Sequence, residues 1–228
     1  MKIGLIAEVR WEVQEICCRL KLKPVKPRDG VLGGTLNGNP IRLCLAGMVP
    51  SLAKERVDRF LNSYRPDLMI CSGLAGALRP DIHVGDIIVN SEDSDLVLIA
   101  ERGLQESLVP YHVGPLVTAA SPVLTPQARR ELASKSRAIA VDLESQLIAA
   151  LCRPLGIRFM AMKGVSDDMD DDLSPILGGF EIINIPRIAL RVLSTPSAWP
   201  LAIRLARSSR TAAKNLGLGV WATLQRVA

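Results

Sequence analysis

The sequence has 228 residues, of which 48% are hydrophobic, 4% aromatic and 22% charged, with a formal net charge of +5. This length and apolar content exclude a disordered chain and favour one globular α/β domain with a mostly aliphatic core. No stretch reaches the roughly 18 consecutive apolar residues of a membrane-spanning helix, and the N-terminus lacks the features of a signal peptide, so we expect a cytoplasmic protein.

Short apolar runs alternate with helical patterns along the first three quarters of the chain. The helical patterns cover residues 51–64, with Ser51 as the expected N-cap, and 125–136, with Thr125 as the expected N-cap. A third predicted helix covers residues 144–156. Strands that alternate with helices predict a layered α/β fold. The apolar runs predict buried strands at 2–7, 41–47, 67–73, 85–90, 115–120 and 157–167.

Residues 182–228 differ from residues 1–181 in charge. They contain seven Lys and Arg residues and no acid, which leaves a formal charge of −2 on residues 1–181. Their pattern predicts two amphipathic helices with a break near residues 194–200, packed on the domain formed by 1–181. Two interpretations stay open: a solvated basic face, or contact with an anionic membrane surface or a lipid-like substrate. No aromatic interleaving or DNA-binding pattern supports nucleic acid as a partner.

The cysteines and histidines argue against disulfides and metals. The five cysteines form no CxxC pair and lie in apolar runs, which is typical of reduced, buried thiols. The two histidines, His83 and His112, do not stand at ligand spacing to a cysteine, so no metal site is expected.

Three acidic residues stand at the ends of apolar strand patterns: Glu12, Glu144 and Asp167. Ligands of open α/β sheets bind outside the carboxyl ends of strands, which makes these acids candidates for a site. Each one alone is better explained as a helix cap or first-turn residue. Together they supply an acid for a leaving group, a carboxylate for hydroxyls and a base for water, a set that suits cleavage of a glycosidic bond.

A glycine-containing segment, "CSGLAGALRPDIHVGDIIV", covers residues 71–89. Gly73 and Gly76 flank a predicted tight turn after a strand, where backbone amides can approach a ligand closely. An ordinary strand-to-loop turn explains the same spacing. The segment is neither GxGxxG nor a P-loop, so it predicts no dinucleotide or nucleoside triphosphate.

Three segments carry a family resemblance. They are "MKIGLIAEVRWEV" (1–13), "AGMVPSLAKERVDRFLNSYRPDLMICSGLAGALRPDIHVGDIIV" (46–89) and "AIAVDLESQLIAALCRPLGIRFMAMKGVSD" (138–167). In order and spacing they resemble the motifs of the purine nucleoside phosphorylase and methylthioadenosine/S-adenosylhomocysteine nucleosidase superfamily, over about residues 1–170. The resemblance implies a three-layer α/β/α fold around a central mixed, partly barrel-like sheet. It also implies a homodimer, and no cofactor, with phosphate as an alternative co-substrate to water.

The resemblance implies catalytic roles for the three acids. Glu144 matches the glutamate that holds the ribose hydroxyls, Asp167 the acid that protonates N7 of the purine, and Glu12 the glutamate that activates water. Asp142 stands where a non-catalytic acid is common. The positions that match substrate-binding ones are Leu143 beneath the sugar, Met48, Gly73, Leu74 and Ala75 around the ribose and nucleophile, Ser166 beside the acid, and Val123 and Leu124 against adenine.

The chain departs from the family pattern at several positions. The family's TGxAGGL is SGLAGAL here, so a hydroxyl is missing beside the sugar and Leu74 adds bulk. Lys163 replaces the arginine before the ISD motif. No residue matches the phosphate-binding arginines of the phosphorylases, and Arg10 and Lys163 are the candidate substitutes. The segment 91–112 is short and lacks the aspartate-rich, aromatic-containing stretch of methylthioadenosine nucleosidases. This points away from the usual small 5′-alkylthio substrate.

The acid-free, Leu- and Arg-rich tail resembles the hopanoid-associated branch of the superfamily, which is thought to remove adenine from adenosylhopane. We therefore expect a nucleosidase or nucleoside phosphorylase that releases adenine from a nucleoside, lipid-linked in this branch, with the basic helix as a peripheral contact at the inner membrane face. Two alternatives remain: a methylthioadenosine/S-adenosylhomocysteine-type nucleosidase, and a non-catalytic protein that senses a nucleoside or a lipid.

Overall fold

The structure is a computed structural model that describes residues 1–26, 29–47, 50–179 and 185–227. Within these residues the strands are β1 Ile3–Ala7, β2 Lys23–Pro24, β3 Val31–Leu36, β4 Asn39–Leu45, β5 Leu68–Ala77, β6 Ile87–Asn90, β7 Tyr111–Val113, β8 Leu116–Thr118, β9 Ala140–Asp142 and β10 Arg158–Asp167. The α-helices are α1 Gln14–Arg19, α2 Pro50–Tyr64, α3 Ser94–Ser107, α4 Pro126–Ser136, α5 Ser145–Cys152, α6 Ser174–Leu177, α7 Ile185–Ser194 and α8 Trp199–Val227.

The strands form one mixed sheet in the order β2-β3-β4-β1-β5-β10-β6-β7, with β9 pairing both β5 and β8. Strand β5 is parallel to β1 and to β10, whereas β6 is antiparallel to β10. Because β7 runs into β8 after two residues, β5, β10, β6, β7, β8 and β9 nearly close a ring. This confirms the expected mixed sheet and accounts for its barrel-like part.

Helices cover the sheet on both faces. On one face α1, α3 and α8 pack against residues such as Leu5 and Ile70, and on the other α2 and α5 pack against Ile6 and Met69. All five residues of β1 are buried, because a central parallel strand is covered on both sides. Such a strand reads as a continuous apolar run, which is why the sequence pattern located β1, β5 and β10. The tight turn predicted between Gly73 and Gly76 is wrong, because both glycines lie within β5, which continues to Ala77.

Helix α8 approaches its neighbours through small residues. A Cβ atom at Gly103 of α3 would lie 2.7 Å from the backbone of Ala222, and one at Gly164 of β10 would lie 2.6 Å from the carbonyl oxygen of Ala212. A Cβ atom at Gly217 would overlap the side chain of Glu15 in α1. The second half of α8 is therefore part of the core, while its first half is more exposed.

The predicted helices are found, with local corrections. Thr125 caps α4 as expected, since its hydroxyl accepts a hydrogen bond from the backbone N–H of Ala128 at 3.2 Å. The prediction that Ser51 is an N-cap is wrong, because α2 begins one residue earlier, at Pro50. The helix predicted at 144–156 is α5 followed by a 3₁₀ turn at Arg153–Leu155.

The tail forms two α-helices, as predicted. A 3₁₀ turn at Pro196–Ala198 separates α7 from α8, at the expected break. None of the helices in the described ranges combines the length and the apolarity needed to cross a bilayer.

Candidate active site

A cavity of about 260 Å³ opens at the carboxyl ends of β1, β5 and β10, next to the start of α5. These three strands are parallel, so their ends and the residues that follow them meet at one edge of the sheet. The acids predicted to bind or react with a substrate converge there. The charged and polar residues of the cavity include Glu8, Glu12, Arg129, Asp142, Glu144, Ser166 and Asp167.

Glu144 is held in place by a buried lysine. It occupies the N-cap position of α5 without using its side chain for the cap, and its carboxylate accepts a hydrogen bond from the ammonium of Lys163. Lys163 has no exposed area and also contacts Oδ2 of Asp142 at 3.0 Å. A Cβ atom at Gly73 would lie 3.2 Å from Oε1 of Glu144 and 3.3 Å from Nζ of Lys163, so the glycine leaves room for this pair.

Asp142 shares this lysine and also anchors α5. Its carboxylate accepts hydrogen bonds from the backbone N–H of Ser145 at 3.1 Å and from the hydroxyl of Thr118 at 2.7 Å. With the hydroxyl of Ser145 and the ammonium of Lys163 as further donors, Asp142 is fully engaged with the protein. These contacts are those of a residue that positions α5, and with it Glu144.

The side chains around Lys163 are of types that also bind metal ions. Ligand atoms of Cys71, Asp142 and Glu144 lie within 4.8 Å of one another. Burial acts to lower the pKa of Lys163, but the surrounding Cys71, Glu144 and Asp142 outweigh it and raise the pKa well above its ordinary value. The lysine therefore stays protonated and supplies the positive charge of this cluster.

Asp167 is paired with a buried arginine. Its Oδ2 lies 2.5 Å from the guanidinium of Arg129, which is 1% exposed and also donates to the backbone carbonyls of Asp168 and Val123. The hydroxyl of Ser166 donates to Oδ1 of Asp167 at 2.5 Å. Burial raises the pKa of Asp167, and Arg129 opposes this rise. Asp167 is thus a buried carboxyl group in a fixed orientation, with a raised affinity for a proton.

Two further glutamates face the same cavity. Burial raises the pKa of Glu12 to about 7, with the nearby charge of Glu144 adding to it. Burial likewise raises the pKa of Glu8 to about 7, with the charge of Glu12 adding to it. Oε2 of Glu12 is buried and has no hydrogen-bond partner among the described residues. A buried polar atom without a partner carries a desolvation cost that a bound molecule can remove.

The other predicted site residues divide into four groups. Met48 lies outside the described residues. Arg10 is exposed and borders a separate surface depression, and Lys163 is paired as described, so neither lies free in the cavity as a phosphate contact would. Gly73 lies directly beneath Glu144 and Lys163. The cavity lining itself includes Leu74, Ala75, Val123, Leu124, Leu143 and Ser166.

The predicted backbone contact of Val123 and Leu124 with adenine stays a prediction. In the structure the carbonyl of Val123 accepts a hydrogen bond from Arg129 at 3.2 Å, and that of Leu124 accepts one from the N–H of Leu173 at 2.8 Å. Both carbonyl groups therefore already have a partner within the chain.

The sequence patterns did not identify Glu8 and Arg129 as site residues. Glu8 immediately follows β1, so the rule that acids at the carboxyl ends of strands are candidates could have found it. Arg129 gave no such signal. It stands beside Arg130 on α4, and only the packing of the helix turns one inward and leaves the other on the surface.

Comparison with known proteins finds a matching family and related nucleosidases. The family model of the phosphorylase superfamily matches residues 2–92 and 90–177. The 5′-methylthioadenosine/S-adenosylhomocysteine nucleosidase of Buchnera aphidicola (subspecies Schizaphis graminum) is 29% identical, over 75% of this chain and 86% of that protein. The nucleosidase of the same name from Maridesulfovibrio salexigens is 26% identical, over 75% of this chain and 88% of that protein.

Solved structures share the whole fold. The S-adenosylhomocysteine nucleosidase of Streptococcus pyogenes, in complex with 5-methylthiotubericidin, superposes with a TM-score of 0.79 and 17% identity, over all of this chain and 98% of that one. Fold, cavity and relatives together define an enzyme of the nucleosidase or nucleoside phosphorylase type. The chain belongs to the phosphorylase superfamily.

Proposed function

We propose that this protein hydrolyses the N-glycosidic bond of an adenine nucleoside that carries an apolar substituent at its 5′ position. The observation that carries the proposal is the placement of Asp167 and the group Glu8, Glu12 and Glu144 around one cavity. The choice of adenine rests on the relatives, which are named as nucleosidases of methylthioadenosine and S-adenosylhomocysteine.

Three of these carboxyl groups, those of Asp167, Glu144 and Glu12, each have one role in the proposed reaction. Asp167 gives its proton to N7 of the purine while the bond between C1′ and N9 breaks and its electron pair goes to the base. Glu144 accepts hydrogen bonds from the ribose hydroxyls and stabilises the positive charge that develops at C1′. Water adds to C1′ and loses its proton to Glu12, which leaves free adenine and a 5′-substituted ribose.

Water is favoured over phosphate as the nucleophile because this end of the cavity is acidic. Among the described lining residues Arg129 is the one cation, and it is paired with Asp167. A phosphate dianion would meet the charge of Glu144 and, where they are ionised, those of Glu8 and Glu12 in a poorly solvated site. Water meets no such repulsion and finds a glutamate with a pKa of about 7.

The other end of the cavity favours an apolar 5′ substituent. It is formed by Leu173, Leu177, Ile188 and Leu205, which come from α6, α7, α8 and the turn before α6. Removing apolar surface from water stabilises such a complex in proportion to the area buried. Short alkylthio groups are the smallest substituents of this class, and the polycyclic hydrocarbon of adenosylhopane is among the largest.

The test is release of free adenine from a series of nucleosides, measured by chromatography with and without phosphate. The series runs from adenosine through methylthioadenosine and longer 5′-alkylthioadenosines to adenosylhopane presented in detergent. We expect release that does not depend on phosphate, with kcat/KM rising as the apolar substituent grows.

Asp167→Asn serves as the inactive control, and its circular dichroism spectrum shows whether it folds. Formation of ribose 1-phosphates only when phosphate is present would make the protein a phosphorylase instead. Tight binding of the nucleosides without adenine release would favour a sensor. The expected homodimer remains a prediction that sedimentation velocity tests separately.

A further inference from the structure

The corner between α7 and α8 exposes large apolar side chains. Leu190 and Leu193 are 68% and 72% exposed, and Trp199 and Ile203 are 48% and 52% exposed. The indole N–H of Trp199 donates to the carbonyl of Val192 at 2.8 Å, which ties the start of α8 to the end of α7. We call these four side chains the apolar corner.

A row of cations continues from the apolar corner along α8. At about 100° per residue, Trp199, Ile203, Arg207, Arg210 and Lys214 fall within an arc of about 80° on the helix surface. All five are exposed. We call Arg207, Arg210 and Lys214 the basic stripe. No acid occurs anywhere in residues 182–228, so no carboxylate of this segment neutralises it.

We propose that the apolar corner and the basic stripe dock this protein on an anionic lipid bilayer. The apolar corner enters the boundary between headgroups and acyl chains, and the basic stripe lies against the negative headgroups. Amphipathic helices with aromatic and aliphatic residues on one side and Lys or Arg beside them bind membranes in this way. Tryptophan is enriched at this depth because its ring is apolar and its N–H is polar.

A second copy of this chain fits the same surface poorly. A two-fold symmetric interface places the same patch of both copies against itself. Here that would bring two basic stripes together, with no acid of residues 182–228 between them. An anionic membrane neutralises the stripe, and its acyl chains accept the leucines.

The same helices wall the proposed active site, so this inference rests on the proposed function and deepens it. Ile188 and Leu205 line the cavity, and they stand two residues from Leu190 and Ile203, respectively. One α-helix, about 10 Å across, then separates the membrane from the cavity. An apolar substituent that partitions into lipid would reach its site with little exposure to water.

Vesicle co-sedimentation tests the docking without any turnover. We expect the protein to bind vesicles of phosphatidylcholine and phosphatidylglycerol at low ionic strength, and to bind pure phosphatidylcholine at least about tenfold more weakly. The double variant Leu190→Ser/Leu193→Ser should weaken binding to the anionic vesicles about tenfold or more, since burial of each leucine is lost. The variant Arg207→Gln/Arg210→Gln should weaken it about tenfold and reduce its dependence on salt.

Leu98→Ser is the matched control, because Leu98 lies on α3 and is also 52% exposed. It should bind vesicles as the wild type does. All variants should have the circular dichroism spectrum of the wild type, which shows that they fold, and should release adenine from a soluble nucleoside at the wild-type rate in the absence of vesicles.

Two results would overturn the proposal. One is wild-type protein that does not bind anionic vesicles. The other is a double leucine variant whose affinity for vesicles is unchanged. If that variant is also a monomer where the wild type is a dimer, the apolar corner belongs to an interface with a second copy. Absence of adenine release from every nucleoside would contradict the proposed function but not the docking, since vesicle binding is measured without substrate.

Discussion

The two ends of the cavity are built in different ways. At the acidic end, Glu8, Glu144 and Asp167 follow or end strands of the central sheet or cap a helix beside it, and two buried cations, Lys163 and Arg129, hold two of these acids. At the apolar end, Leu177, Ile188 and Leu205 come from helices that lie outside the sheet. Groups that must be oriented for chemistry are on the rigid part, and groups that select a substituent are on the part that is easier to alter.

The difference has a physical reason. Stabilising a developing charge requires dipoles and charges that are already in position, because reorganising them would cost the energy that they supply. Binding an apolar substituent requires apolar area and space, which many side chains can provide. Substitutions at the acidic end should therefore have large effects on folding and rate, and those at the apolar end should mainly change substrate preference.

The largest effect is expected from Lys163→Met. The variant leaves Asp142 and Glu144 without their shared cation in a buried setting, which should lower the free energy of unfolding by about 3–5 kcal/mol. Urea unfolding followed by circular dichroism measures this loss. The matched control is Lys135→Met on the exposed side of α4, which should change stability by less than about 0.5 kcal/mol. Equal stability of the two variants would contradict the buried pairing.

Asp167→Asn should have the next largest effect, on rate. An amide cannot give a proton to the purine, so kcat should fall about 100-fold or more while the protein stays folded. Steady-state adenine release measures the change. Asp170→Asn is the control, since Asp170 pairs with Arg130 on the surface. If Asp167→Asn kept wild-type turnover, Asp167 would not be the acid.

The pH dependence of kcat/KM should report the ionisation of Glu12. Because the pKa of Glu12 is raised to about 7, the residue is mostly protonated at pH 6 and cannot accept a proton from water. We expect kcat/KM to rise about tenfold per pH unit below pH 7 and to level off above it. Glu12→Gln should be slow and lack this rise. An identical profile in wild type and variant would assign the titration to another group.

The raised pKa values of Glu8 and Glu12 should also make the folded protein less stable as the pH rises. Between about pH 4.5 and 7 the folded protein keeps protons on Glu8 and Glu12 that the unfolded chain releases, so the free energy of unfolding should fall as pH rises through this window. Urea unfolding at a series of pH values measures it. The double variant Glu8→Gln/Glu12→Gln should show a flatter dependence.

The smallest effect is expected at the apolar end. Leu205→Ala should lower kcat/KM for a long 5′-alkylthioadenosine about fivefold, through lost apolar contact, and leave that for adenosine unchanged. The ratio of the two constants is the measurement. Leu147→Ala is the control, because Leu147 is exposed on α5 and does not line the cavity. A fall of the same size for both substrates would assign Leu205 a structural role.

Much of the fold could be predicted from the sequence, because the central strands are buried on both faces and read as apolar runs. The strands β2, β3 and β7, the helix α3 and the short helices α1 and α6 were not predicted. β2 has two residues, β7 has three, and β3 contains two glycines, so their patterns are short or weak. In α3 the buried Gly103 allows the close approach of α8 and weakens the helical pattern.

A site residue could be predicted where its own position along the chain, such as the end of a strand, identifies it. Glu12 and Glu144 follow strands, Asp167 ends one, and all three match family motifs; the structure brings them around one cavity. The role of Arg129 depends on how α4 rotates on its neighbours, and the pairing of Lys163 depends on two residues about twenty positions away. Neither contact follows from spacing along the chain. The sequence analysis assigned Asp142 a non-catalytic role and Glu144 a role in ribose binding. It did not show that the two carboxylates share Lys163 as a partner.

The close packing of α8 limits how this part of the sequence can change over evolutionary time. Its inner half depends on positions that stay small, since a Cβ atom at Gly217 has no room against α1. Its outer half, from Trp199 to Lys214, has no such restriction on the exposed side. Substitutions can therefore accumulate in the first half of α8 and adapt it to a new surface or a new substituent. The sheet, the buried cations and the four carboxyl groups need not change with it.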